Sequence, residues 1–69
     1  AGHLVGGNGR SGVFDKTGKP VLPMIHQEIV LITERIAKVT DGGRFAYRDL
    51  SDGRYLWKEV GYVEGGSAE

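Results

Sequence analysis

Apolar and polar positions alternate most clearly in the last third of the chain. Arg44 to Leu50 and Arg54 to Val63 are aromatic-rich runs framed by the turn sequences Asp41-Gly42-Gly43 and Ser51-Asp52-Gly53. Alternating runs between glycine-bearing turns predict a β-hairpin. A three-residue loop, Ser51 to Gly53, sets Tyr47 opposite Trp57 and Arg48 opposite Leu56. Phe45, Tyr47, Tyr55 and Trp57 then share one face, and Ala46, Arg48, Leu50, Arg54, Leu56 and Lys58 the other. A two-residue Asp-Gly loop would exchange the partners and mix the faces. The longer loop is favoured because it separates aromatic from basic side chains.

The middle of the chain supports two patterns. Ile25, Ile29, Ile32, Ile36 and Val39 lie at helical spacing, which suits an amphipathic helix. Ile29, Val30, Ile32 and Thr33 are β-branched and nearly consecutive, which opposes helix and favours sheet. The reading adopted is a buried strand from about Glu28 to Ile32. Thr33 to Val39 then forms a short helical turn or a second extended piece. Upstream, Val13-Phe14 begins an extended segment, Asp15-Lys16-Thr17-Gly18 is a turn, and Pro20 and Pro23 confine Val21-Leu22 to an edge or loop.

Residues 1–12 hold five glycines among Asn8, Arg10 and Ser11, a composition too poor in apolar groups to offset ordering entropy. They are expected to form a flexible arm, with a single β-rich domain over 13–64 and a polar tail at 65–69. No internal repeat is legible. The predicted fold class is mainly β: a small SH3-like or open β-barrel with a C-terminal β-hairpin, and room for one short helix between residues 33 and 40. The alternative is α+β, with a helix at 24–39 packed on the hairpin.

Length changes the picture, because 69 residues bury only about 60% of their unfolded surface. No cysteine is present to staple the fold, and the two histidines, His3 and His26, show no ligand spacing. Oligomerisation is one remaining route to extra buried surface, and neither metal nor cofactor is expected. Nine basic and nine acidic residues cancel, which gives no reason to expect an anionic partner. No apolar run approaches the roughly 20 residues of a spanning helix.

Two phosphate-binding patterns are near misses. Gly7-Asn8-Gly9-Arg10-Ser11-Gly12 matches the dinucleotide fingerprint in letters, but that motif needs a strand before it and a helix after it. No strand is expected ahead of Gly7. Gly12 to Lys19 is one residue too long for a phosphate loop, and Pro20 stands where a magnesium-binding hydroxyl belongs. Glu28, Glu34, Asp49 and Glu59 are carboxylates that could meet in space, yet no nucleophile or base can be tied to them, so no enzyme is expected. The basic residues Arg44, Arg48, Arg54 and Lys58 beside Tyr and Trp leave one alternative, a small barrel binding nucleic acid or regulating a protein complex.

The order of elements adds one further lead. Gly12-Val13-Phe14-Asp15 is followed by an apolar strand ending in Thr33-Glu34 and by Arg35-Ile36-Ala37-Lys38-Val39. A glycine turn, a strand, Asp52-Gly53 and Tyr55-Leu56-Trp57-Lys58-Glu59-Val60 complete it. This order resembles the small head–tail joining proteins of long-tailed bacteriophages, over roughly Gly12 to Gly66. The turn here is Gly42-Gly43 where that family often has Gly-Asp. The resemblance implies a non-enzymatic, virion-assembly subunit that forms rings or meets connector and tail proteins, in the bacterial cytoplasm or the virion. The contact residues it would use are Val13 and Phe14 on one edge and Arg48, Arg54 and Lys58 on the hairpin.

Overall fold

The computed structural model describes residues 2–7 and 9–66; Ala1, Asn8 and residues 67–69 of the expected tail lie outside the described residues. Seven strands follow one another: β1 (Gly2–Gly7), β2 (Arg10–Asp15), β3 (Pro20–His26), β4 (Glu28–Leu31), β5 (Ile36–Asp41), β6 (Arg44–Asp49) and β7 (Tyr55–Lys58), with a 3-10 turn at Glu64–Gly66. They form two antiparallel sheets, ordered β1-β2-β3 and β4-β5-β6-β7. The mainly-β expectation therefore holds, while the barrel does not close.

No α-helix occurs among the described residues, which overturns both the helix at 24–39 and the short helix at 33–40. The β-branched residues decide the matter. Ile29 pairs with Val39, and Val30 with Lys38, so the run packs across strands. Thr33 makes the bend between β4 and β5: its hydroxyl accepts the backbone N–H groups of Arg35 and Ile36 at 3.0 and 3.1 Å.

The glycine-rich start is not an unpaired arm. Gly2–Gly7 and Arg10–Asp15 pair as a hairpin. Composition hid this because the glycines serve close packing. A Cβ on Gly12 would lie 2.7 Å from Met24 Cγ and 2.8 Å from the Leu22 carbonyl oxygen, so glycine lets β2 approach β3. A strand therefore does precede Gly7, contrary to expectation, but β2 follows where the dinucleotide motif needs a helix.

The two sheets share a local design that the sequence conceals. Asp15 Oδ1 accepts the Thr17 N–H and hydroxyl at 2.9 and 2.6 Å, and Gly18 N–H bonds back to the Asp15 carbonyl. Asp49 Oδ1 accepts the Ser51 N–H and hydroxyl at 2.7 and 2.6 Å, and Gly53 N–H bonds back to Asp49. Gly18 and Gly53 sit at φ 89° and 81°, where glycine alone is unstrained. Hydroxyl donors of Thr17 and Ser51, respectively, head the causes that hold the Asp15 and Asp49 carboxyls below the usual range. Each middle strand, β2 or β6, starts at an arginine after a positive-φ glycine (Gly9 or Gly43) and ends at this aspartate. A repeated three-stranded frame thus underlies a chain with little repetition of letters.

The apolar core is thin: Val13, Leu22, Ile29, Ala37, Val39 and Ala46 are buried between the sheets, with Val21, Leu50, Tyr55 and Tyr62 packed at its margin. Alanines at two of six positions explain how the sheets can approach. They also mean that this space cannot hold the aromatic row of the hairpin.

Candidate functional site

The hairpin pairs Tyr47 with Trp57 as expected, but Arg48 faces Tyr55, not Leu56, because the ladder shifts between Tyr47 and Arg48. The connection is also longer than three residues: Asp49 N–H bonds to the Arg54 carbonyl, and Leu50 N–H to that of Arg35. The second strand ends at Lys58, short of the expected Val63. This shift moves Tyr55 off the aromatic face and places its ring 4.4 Å from the Arg48 guanidinium. Phe45, Tyr47 and Trp57 still share one face, as expected, and Ala46 and Arg48 the other; Tyr55 is the aromatic that changes side.

On the inner face, charge is buried and fully partnered. His26 is 0% exposed, Asp41 1% and Arg48 8%. Arg48 Nη1 lies 2.8 Å from His26 Nε2. A guanidinium has only donors, so Nε2 accepts and the imidazole is the neutral Nδ1–H tautomer. That N–H donates to Asp41 Oδ2 at 2.6 Å. The Tyr62 hydroxyl donates to the same oxygen at 2.5 Å, and Gln27 N–H to Asp41 Oδ1 at 2.7 Å. Arg48 Nε and Nη2 both donate to the Gly53 carbonyl, at 2.9 and 2.6 Å, and Glu64 Oε2 lies 3.6 Å from Nη1. Among the described residues no buried side-chain nitrogen or oxygen lacks a partner.

Burial pushes the Asp41 carboxyl upward, yet the donors Tyr62, His26 and Gln27 outweigh it and hold the group below the usual carboxylate range. Burial, then the bond to Asp41, pushes the Tyr62 phenol far up, which keeps it a donor. The network spans both sheets: His26 belongs to β3, Asp41 to β5 and Arg48 to β6. An Asp–His pair is also the orienting half of a hydrolytic triad. Here the nitrogen that would face a nucleophile is capped by a guanidinium that cannot be deprotonated. In this arrangement the Asp41–His26–Arg48 chain links the two sheets.

The outer face is aromatic and open. Phe45 and Tyr47 meet edge to face at 5.7 Å, and Trp57 lies 5.3 and 6.0 Å from them. Lys38 Nζ stands 5.1 Å over the Phe45 ring. Beside this row, Ile32, Ile36, Tyr47, Leu56 and Trp57 line an open groove of about 350 Å³ with almost no polar surface. Ile32, Leu56 and Trp57 are 51%, 45% and 49% exposed. A folded domain gains little from holding such a set in water.

The residues singled out from sequence do not form one surface. Val13 is fully buried in the core and Arg48 lies inside the network, so neither can be a contact residue in this fold. Phe14 is half-buried in β2. Arg54 projects from the turn, 3.7 Å from Asp52 Oδ2, and Lys58 stands 4.7 Å over the Tyr55 ring. With Arg48 turned inward, the basic stripe Arg44–Arg48–Arg54–Lys58 is not assembled. Nor do Glu28, Glu34, Asp49 and Glu59 converge: Asp49 binds Ser51, and Glu59 accepts the Phe45 N–H at 3.0 Å. No group of three His, Asp or Glu that could hold a metal is found among the described residues, nor is a helix long and apolar enough to cross a membrane.

Sequence reasoning missed His26 and Asp41, which are 15 positions apart with no local motif. It also missed Ile32 and Ile36, whose spacing read as helical. Comparison with known protein families, characterised proteins and solved structures finds no match.

Proposed function

We propose that this chain is a non-catalytic assembly or binding module that works through the outer face of its four-stranded sheet. One observation carries the reading: the aromatic row and its apolar groove are exposed, while the charged residues that could serve chemistry are buried and mutually satisfied. Aromatic side chains around a desolvatable hollow are what protein interfaces use as anchors. The phage head–tail joining subunit is the particular member of this class that the sequence resemblance implies. It would use this face, and not Val13 or Arg48, to meet its neighbours.

Hydroxyl-radical footprinting tests the reading on two samples, the purified chain and the native assembly isolated from the cells that make it. Trp57, Leu56 and Ile32 should be oxidised freely in the purified chain at low micromolar concentration and protected at least about 5-fold in the assembly. Equal oxidation in both samples would rule out this face as the working surface.

A further inference from the structure

The groove has a natural complement on the same molecule. Val60 is 89% exposed, the most outstanding apolar side chain among the described residues. It sits on the turn after β7, a place where Gly, Pro, Asn, Asp or Ser is usual. The turn is also braced. Arg44 Nη1 donates to the Val60 carbonyl at 3.2 Å, and Tyr62 N–H bonds to the Glu59 carbonyl at 2.9 Å. Glu59 anchors the other side by exchanging backbone and side-chain bonds with Phe45. Gly61, at φ 87°, leaves room for the Arg44 side chain, which a Cβ there would meet at 2.9 Å. An apolar side chain is thus held out in water by fixed partners.

We infer that a second copy of this chain is the occupant of the groove, with Val60 of each copy inserted between Trp57, Tyr47 and Ile36 of the other. Knob and groove are close in the chain, because Leu56 and Trp57 line the groove and Val60 follows them. A two-fold axis beside β7 lets both insertions form at once, giving a closed, isologous contact that does not propagate. Polarity favours this occupant over a charged one. The groove presents almost no polar surface to pair with charge, and Val60 brings none. The inference rests on the outer face being the working surface, and it names the partner.

The chain carries one tryptophan, and it lines the groove, so self-association has a direct reporter. Sedimentation velocity and Trp57 emission are followed together from about 1 µM to 1 mM. The expected result is a monomer–dimer equilibrium with a blue shift of emission that tracks the dimer fraction. Val60→Asp should raise the dissociation constant at least about 10-fold and keep Trp57 emission at its monomer wavelength, with an unchanged melting temperature. Val60→Leu should dimerise as the parent does or more tightly. A monomer throughout the range, or a dimer unaffected by Val60→Asp, overturns the inference. If the purified chain stays monomeric while the native assembly still protects Trp57, the partner is a different protein: the inference falls and the function proposed above stands.

Discussion

The two faces of the four-stranded sheet differ in kind: the inner one sets a buried charge network beside the apolar core, and the outer one carries an exposed aromatic row. Asp41 and Arg48 point inward from β5 and β6, where Tyr62 and Tyr55 flank them, while Phe45, Tyr47 and Trp57 point outward to water. The inner face tolerates charge because each charge has its opposite within a hydrogen-bonded chain, bridged by a neutral His26. Such an arrangement adds less to stability than its contacts suggest, since desolvation offsets much of the attraction. One hydrogen-bonded chain ties β3, β5 and β6 together, with every buried side-chain donor and acceptor among the described residues partnered. The outer face has no comparable hydrogen-bonded network, and the binding role proposed above would account for its composition.

The largest expected effect breaks the inner face. Asp41→Ala removes the acceptor for His26, Tyr62 and Gln27 and leaves Arg48 with Glu64, 3.6 Å away, as its carboxylate partner. Loss of one partner from a buried pair costs about 3–5 kcal/mol, a large share of the stability of a chain this small. Chemical denaturation should place the variant at or beyond the edge of folding. Replacing the set together by His26→Leu, Asp41→Leu and Arg48→Met should be milder than Asp41→Ala alone. If it is not, the network stabilises the fold outright, and the contrast drawn between the faces is wrong.

The same carboxyl sets a pH dependence. Asp41 has its folded value below the ordinary one, so its contribution is fully present above about pH 4, the unfolded value. It is lost as pH falls through that range toward the folded value. Melting temperature should therefore decline on acidification below about pH 4, and Asp41→Asn should flatten that decline.

How much of this was legible beforehand follows from the range of each interaction. The turns at Asp15–Gly18 and around Asp52-Gly53, the strand at Glu28, and the opposition of Tyr47 and Trp57 are local, and residue type alone marks them. The face assignment held for Phe45, Tyr47 and Trp57 but not for Tyr55, because one ladder shift at Tyr47/Arg48 moves it to the other side and nothing in the alternation announces it. The Asp41–His26–Arg48 chain joins three strands from both sheets, so no spacing could reveal it. The hairpin of β1 and β2 was lost for a third reason: glycine content, which normally signals an unpaired segment, here serves close approach.

Gly12 gives an intermediate test of that point. Gly12→Ala adds one methyl where Met24 and the Leu22 carbonyl already stand within 3 Å. Met24 can rotate away, but the backbone of β3 must shift, and overpacking of this kind costs about 1–3 kcal/mol. The urea midpoint should fall accordingly, with β2–β3 amides losing hydrogen-exchange protection first. Gly6→Ala is the control: its Cβ would meet nothing closer than 3.8 Å, so stability should hold.

The smallest effect on folding belongs to the outer face, and it sharpens the comparison most. Trp57→Thr puts a β-branched, sheet-favouring residue in β7 and removes two aromatic contacts, at 5.3 and 6.0 Å. Pairs of this kind contribute about 0.5–1.5 kcal/mol beyond burial, and the half-exposed ring yields less than a buried one. Thermal melting should therefore show a modest fall, far below that of Asp41→Ala. Association is a different quantity, because truncating an aromatic anchor at an interface centre costs about 2 kcal/mol or more. The variant should remain folded by circular dichroism while its dimerisation, read by sedimentation, weakens at least about 10-fold. A variant that unfolds as Asp41→Ala does would mean that the aromatic row is part of the core after all. In that case the exposed groove would be a by-product of folding, and the two faces would no longer divide the work between structure and binding.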